Sequence, residues 1–301
     1  MKESMTTFLG VPLIDQSDLG PNTHFTCRRT RKLPRHATYS VITSPGGAAI
    51  QDMLNILGRR APFLRITVIP ALVQGDQAPA EIIADPKRVT ALKETGLLDS
   101  PPQASYDQLA ELASRLLGVP TALMSLVDKD RQFFKSQVGL ALPWAAARQT
   151  RLSHSFCQWV VSGQEDVVIE DARTHPVLRS NLAIKDLGVI AYAGVPVHAR
   201  AGEAIGSLCA IDSKPRRWSE DDLATLQDLA RVTEAWTLLQ QPGGQAATPD
   251  GATAALQACG SAVQGLTRVL HRHAARIDQA SRAELLELIR QKGCQLLQLA
   301  G

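Results

Sequence analysis

The sequence predicts an α+β fold in which an antiparallel sheet occupies the middle of the chain and a helical hairpin follows it. An apolar run, Ala122 to Val127, stands between Pro120 and the charged tetrad Asp128, Lys129, Asp130 and Arg131, and apolar character resumes at Phe133, Phe134 and Val138. That pattern is a strand, a tight turn and a second strand. Short acidic side chains hydrogen-bond their own backbone, which places the turn at Asp128 to Asp130. Two more β-type runs, Val189 to Val197 and Ala204 to Ile211, are joined by a turn containing Gly202. Near the C-terminal end, Leu256, Val263, Leu270 and Ile277 recur at sevens, the spacing of a helix that pairs with another helix.

Composition bounds the function classes. The chain has 301 residues, 45% of them hydrophobic, enough for a globular core. A net charge of +3 is too small to imply a nucleic-acid partner, which needs a concentrated basic face. Five cysteines, Cys27, Cys157, Cys209, Cys259 and Cys294, are odd in number and form no C-x-x-C pair. Neither a secreted disulfide framework nor a structural zinc site is indicated, and a reducing cytoplasm fits. No apolar window reaches the length that crosses a bilayer, so the expectation is a cytoplasmic protein with no membrane partner.

Taken in order, residues 1–83 read as a mostly disordered basic extension, with Arg28, Arg29, Arg31, Lys32 and Arg35 beside turn-forming Ser44, Pro45, Gly46 and Gly47. Short apolar pieces at Ile50 to Leu57 and Leu64 to Val73 suit a helix turn and a strand. Lys87 to Thr95 is a short helix stopped by Gly96, and Pro101 and Pro102 force an extended link. A stronger helix follows, with Ser105 as cap, Gln108 at the capping-box position and Gly118 at its end. After the central hairpin, Pro143 to Arg151 is a loop. Ser153 caps a short helix through Phe156, Trp159 and Val160 that Gly163 terminates. Val167 to Ile169 is a strand, and Ala172 to Leu187 a polar loop. Ser219 opens a long helix whose first turn carries Glu220, Asp221 and Asp222, with Leu223, Leu226, Ala230, Thr233 and Trp236 along one side. Residues 241–251 are rich in Pro, Gly, Ala and Thr and read as a flexible linker. Residues 252–301 form the hairpin, its second helix opened by a Ser281 and Glu284 capping box. Gly260 and Gly265 weaken its first helix by roughly 1 kcal/mol each relative to alanine.

Five blocks carry a family resemblance: TGLLDSPP (Thr95 to Pro102), LLGVPTALMSLVDKDRQFFKSQVGL (Leu116 to Leu140), SHSFCQWVV (Ser153 to Val161), AYAGVPV (Ala191 to Val197) and GSLCAIDSKPR (Gly206 to Arg216). In order and distance they resemble bacterial GAF sensor domains, with residues 84–240 as the domain. The resemblance implies a GAF-like, PAS-related antiparallel sheet of about six strands, helices packed on one face and loops covering the other. In that family the space between sheet and loops holds the ligand. The matching positions are His154, Phe156, Cys157, Asp171, Asn181 and Tyr192. Each also has a plainer reading: Asp171 and Asn181 as turn residues, Phe156 and Tyr192 as core, and His154 as a hydrogen-bonded structural histidine. Asn181 is followed by Leu182 where the family usually has proline, and the identity of any ligand or cofactor is left unknown.

The resemblance implies a signalling protein that binds a small ligand or a protein partner and relays its state through its terminal helices, with homodimerisation through the hairpin. Two alternatives stay open. Cys157 and Cys209 invite comparison with GAF enzymes that reduce free methionine sulfoxide, although their three-cysteine arrangement is not recognisable and a free cysteine most often packs as a small hydrophobe. A bilin on Cys157 is disfavoured because Gln158 stands where phytochrome-type attachment has histidine. The segment around His271 loosely resembles the phosphoacceptor region of sensor kinases, without the acidic residue and proline that normally follow, which leaves a degenerate kinase-like or scaffold protein that dimerises through the hairpin. No catalytic machinery or metal site is recognisable, so the reading is regulatory rather than enzymatic.

Overall fold

The computed structural model describes residues 7–8, 11–12, 37–43, 64–70, 80–200, 202–240, 249–275 and 277–300. The chain divides into two units, residues 1–73 and 74–301. In the first, β1 (Thr7–Phe8) pairs antiparallel with β2 (Val11–Pro12), and β3 (Ala37–Thr43) pairs parallel with β4 (Leu64–Pro70), Val41 opposite Val68. β4 falls within the apolar piece that the sequence marks as a strand, whereas β3 follows the arginine cluster without an apolar pattern of its own. The helix turn expected at Ile50 to Leu57 lies outside the described residues, as does most of the extension.

The second unit opens with α1 (Ala80–Ile83) and α2 (Pro86–Glu94), whose N-terminus Asp85 caps by accepting from the Lys87 backbone N–H at 2.7 Å. Buried Arg88 donates to the Val127 carbonyl at 2.7 Å and so ties α2 to the end of the central strand. The next helix, α3 (Ala104–Leu117), ends at Gly118 in the left-handed region, as expected, but it begins earlier than Ser105 and has Gln103 at its cap with no side-chain bond. Ser105 therefore lies inside the first turn.

The sheet holds six strands: β5 (Thr121–Val127), β6 (Arg131–Val138), β7 (Gln149–Arg151), β8 (Val167–Ile169), β9 (Ala191–His198) and β10 (Ala204–Asp212). Their order is β7-β6-β5-β10-β9-β8 and all pairs are antiparallel. The β5–β6 turn forms where the acidic residues predict it: the Lys129 N–H donates to Asp128 Oδ1 at 2.8 Å, and the Asp128 N–H to the Arg131 carbonyl at 2.8 Å. A bulge opposite Met124 and Ser125 leaves Lys135 as the extra residue. Its ammonium donates to Ser100 Oγ (2.6 Å) and the Pro101 carbonyl (2.8 Å), and burial first, then Arg148, lowers its pKa to about 8.

Between β6 and β9 the chain crosses the other face of the sheet. It forms α4 (Trp144–Ala147), a 3-10 turn at Leu152–His154, α5 (Cys157–Gly163), two more 3-10 turns at Ala172–Thr174 and Leu178–Ser180, and α6 (Leu182–Asp186). Part of the loop expected over Pro143 to Arg151 is thus helix and edge strand. The helices that follow are α7 (Glu220–Gln240), α8 (Pro249–Arg272) and α9 (Gln279–Ala300). Ser219 and Asp222 cap α7 reciprocally: the Asp222 N–H donates to Ser219 Oγ at 3.1 Å and the Ser219 N–H to Asp222 Oδ2 at 3.0 Å. At α9 the cap is Asp278, which accepts from the Ser281 N–H at 2.8 Å, rather than Ser281. Glu284 instead pairs with Arg115 of α3. Most of the linker expected over 241–251 lies outside the described residues, but Pro249, Asp250 and Gly251 already belong to α8.

Alternation along the strands sorts the sheet into two faces. Ala122, Met124 and Leu126 of β5, Leu208 and Ala210 of β10, and Val195 and Val197 of β9 pack with Leu109 and Leu112 of α3 and Leu226 and Leu229 of α7 in one apolar cluster. α7 is covered in turn by α8, so residues off its predicted stripe, Thr225, Asp228, Val232 and Ala235, are buried too. Small residues let the two helices meet. A Cβ on Gly265 would stand 3.1 Å from the Asp228 carbonyl oxygen, which explains a glycine that helix propensity alone disfavours.

Candidate functional site

The alternate residues of the central strands face the loops. Ser125 stands opposite Ser207 in the β5–β10 register, and Cys209 stands between Leu123 and Gly194 of the two flanking strands. Cys157, the first residue of α5, lies over them. Its Sγ is 3.8 Å from Cys209 Sγ, and the Tyr192 hydroxyl donates to it at 3.4 Å while standing 3.4 Å from Ser207 Oγ. All five side chains are buried. The Tyr192 ring reaches this position by lying along its strand across Gly194, where an added Cβ would come within 2.6 Å of the ring's Cζ. Phe156 covers the same ring at 5.3 Å between centroids.

The electrostatics of the cluster are uneven. Hydrogen bonding, first from Cys209 and then from Tyr192, favours the thiolate of Cys157 and lowers its pKa, while burial raises Cys209 well above the ordinary thiol value. Burial likewise holds Tyr192 as a neutral phenol.

A polar network sets the position of Cys157. Gln132 of β6 donates to Thr150 Oγ1 at 2.7 Å and to the His154 carbonyl at 3.2 Å, and accepts from Ser155 Oγ at 2.7 Å. Ser155 Oγ accepts from the Gln158 N–H at 3.1 Å, so the side-chain cap of α5 is Ser155 and not Ser153. Asn181 donates to the Ser155 carbonyl at 3.2 Å and accepts from the Ala183 N–H at 3.0 Å, capping α6. α5 ends at Gly163 as the sequence predicts, with Gln164 in the left-handed conformation after it.

Of the six residues singled out in the sequence, Phe156, Cys157 and Tyr192 meet in one buried cluster. Asn181 supports it from behind through Ser155. His154 stands outside it, between Ser153 Oγ and Asp186 Oδ2, each 3.0 Å from a ring nitrogen, with Trp144 at 5.2 Å. Asp171 is remote in role: it caps the 3-10 turn at Ala172 and binds Arg173 at 2.7 Å, and that hydrogen bonding lowers its pKa. Sequence reasoning missed Ser125, Ser207 and Gly194. Their signal is a polar or small residue on the strand phase opposite to Met124, Leu208 and Val195.

Two other polar groups mark this half of the molecule. His175 Nδ1 accepts from the backbone N–H of Val177 (3.3 Å) and Leu178 (3.1 Å), and burial depresses its pKa to about 4, so its Nε2 carries the proton. His198, at the far end of β9 from Tyr192, pairs with Glu234 of α7 through its backbone N–H (2.8 Å) and Nδ1 (2.7 Å). On the helix side, buried Asp228 of α7 accepts from Arg231 at 3.0 Å, from Arg268 of α8 at 2.9 Å and from Arg272 of α8 at 3.0 Å. Among the described residues no group of three or more His, Cys, Asp or Glu side chains is placed to hold a metal ion. No helix among them is long and apolar enough to cross a membrane.

The family model described as GAF domain matches residues 101–235, the span that contains the sheet, the loop-side cluster and most of α7. Residues 101–235 form a GAF domain. The chain is 31% identical over 150 residues to a cyclic di-GMP phosphodiesterase of Pseudomonas aeruginosa, covering 49% of this chain and 25% of that protein. A solved GAF domain from an Acinetobacter phosphoenolpyruvate-protein phosphotransferase aligns with 50% of this chain and 92% of its own, at 19% identity and a TM-score of 0.38. The segment before the GAF domain, residues 24–100, matches the model for the exonuclease VII large subunit. Over 68 residues the chain is 46% identical to the exodeoxyribonuclease 7 large subunit of Xanthomonas campestris pv. campestris, which is 22% of this chain and 15% of that protein. This chain therefore spans a quarter or less of these two curated relatives.

Proposed function

We propose that the GAF domain is the input of a signalling protein, taking a small ligand or a protein partner at its loop-covered face and passing the bound state to α7 and the α8–α9 hairpin. The observation that carries this reading is the course of β9. One end places Tyr192 in the loop-side cluster, and the other fastens His198 to Glu234 of α7. α7 in turn is locked to α8 through Asp228. A change in how the loops sit on Tyr192 has a continuous packed route to the hairpin, and a ligand shifts that equilibrium by its difference in affinity for the two arrangements. The relative named as a cyclic di-GMP phosphodiesterase supports a signalling setting without naming this chain's ligand.

The test begins with mass spectrometry of any small molecule released when the purified chain is denatured. Adding that molecule back should slow amide exchange in α5, β9 and α8 together. Protection confined to α5 and the neighbouring loops would refute the relay, and a chain that carries no small molecule would leave the protein-partner form as the one to pursue. The hairpin's own partner, a second copy or a signalling protein, is tested by Leu286→Glu on its 49% exposed side chain, read as oligomeric mass in solution. Deleting the hairpin is a poorer test, because it would uncover Asp228 and Val232.

A further inference from the structure

We propose that Cys157 and Cys209 are a redox-active pair that closes to a disulfide within the domain when a hydroperoxide reaches the loop-covered face. The inference stands apart from ligand binding and rests on three features of the cluster. First, the sulfurs are 3.8 Å apart, one on the first residue of a short helix and the other on a central strand. A disulfide needs about 2.05 Å, so the sulfurs must close roughly 1.8 Å. Second, the two thiols are unequal. Cys157 receives the Tyr192 hydroxyl's hydrogen bond and is the better thiolate, while buried Cys209 keeps its proton. That is the division between an attacking and a resolving cysteine. Third, Ser125 and Ser207, both fully buried on the same face, also hydrogen-bond toward Cys157 and favour its thiolate. Cys259, the remaining cysteine whose side chain is described, packs instead in the helix-side cluster.

The chemistry balances with one hydroperoxide. The Cys157 thiolate attacks one peroxide oxygen, the O–O bond breaks, and Cys157 becomes a sulfenic acid as hydroxide leaves and takes up a proton to become water. The Cys209 thiol then attacks the Cys157 sulfur, the S–O bond breaks, and a second water departs with the Cys209 proton. Two thiols are oxidised by two electrons in all, and hydrogen peroxide is reduced to two waters. A dithiol reductant reverses the bond by exchange. The site's burial restricts the oxidant to a molecule close to water in size.

The experiment treats the fully reduced chain with hydrogen peroxide, blocks remaining thiols by alkylation under denaturing conditions, and maps peptides without reduction. The expected result is a Cys157–Cys209 linked peptide pair, a fall in free thiols from five to three per chain, and full recovery with dithiothreitol. In Cys209→Ser, confirmed as folded by circular dichroism, dimedone added together with denaturant after the peroxide should label Cys157, because the sulfenic acid has no resolving thiol. Cys259→Ser should leave the linked pair unchanged. Alkylation of both Cys157 and Cys209 after peroxide treatment of the wild-type chain would overturn the proposal, as would bridges that join either of them only to Cys27, Cys259 or Cys294.

Discussion

The two faces of the GAF sheet solve the same packing problem with different materials. On the helix side, Met124, Leu208 and Val195 meet leucines of α3 and α7, and burial of apolar surface at about 25 cal/mol per Å² accounts for the contact. On the loop side, equally buried positions carry Ser125, Ser207, Cys157, Cys209 and Tyr192, the last four joined by contacts of 3.4–3.8 Å. Apolar residues would fill that space at lower cost, since each polar group there must be desolvated and then satisfied. Stability is placed on the helix side, while the loop side keeps polar groups that packing alone does not require. The helix side has buried polar pairs too, and at Asp228 three short arginine contacts saturate the carboxylate, which marks it as a fastening.

The comparison is tested most severely at that carboxylate. Asp228→Ala should destabilise the GAF domain by about 2–3 kcal/mol in denaturant unfolding, because its charge-assisted hydrogen bonds are lost and Arg272, the least exposed of the three arginines, keeps its charge without the carboxylate. A loss below about 1 kcal/mol would show that Asp228 is not a fastening. On the loop side, Gly194→Ala should cost about 1–3 kcal/mol, since the methyl group displaces the Tyr192 ring and the strand cannot give way beneath it. The loop cluster itself is expected to be cheap to alter. Tyr192→Phe should change stability by about 1 kcal/mol or less, while slowing oxidation of Cys157 by hydrogen peroxide through loss of the hydroxyl that favours its thiolate.

The smallest effect concerns the link between the two faces. Hydrogen bonding to Glu234 raises the His198 pKa, so the pair's contribution is complete below the ordinary histidine value near 6.5 and is lost as pH rises through the raised folded value. Glu234→Gln should therefore cost under about 1 kcal/mol at pH 6, and the gap to wild type should narrow as pH is taken towards 9. A gap that widened with pH would mean that His198 is not the titrating group.

Much of this architecture is legible in the sequence because its signals are local. The acidic turn at Asp128, the left-handed Gly118 and the Ser219 cap each depend on neighbours within a few positions, and each forms where the residues predict. The caps at Ser105, Ser153 and Ser281 fail for the same local reason: several polar residues lie within two or three positions, and tertiary packing chooses among them. Phe156, Cys157 and Tyr192 could be grouped only through a resemblance, since 35 residues separate Cys157 from Tyr192 along the chain. Asp228 reads as one polar residue on a helix until α8, about forty residues on, brings its arginines to it. Gly265 reads as a weak point and Gly194 carries no sign of its role, because the close approach of a helix or a ring is invisible until both partners are in place.

The proposed relay joins the loop-side cluster and the helical stack through β9. Hydrogen-exchange mass spectrometry of Gly194→Ala, at a pH where the variant remains folded, measures this most directly. The account predicts faster exchange in α5 and also in α7 and α8, the latter beyond what the loss of global stability explains. Faster exchange in α5 and β9 with α7 and α8 unchanged from wild type would contradict it.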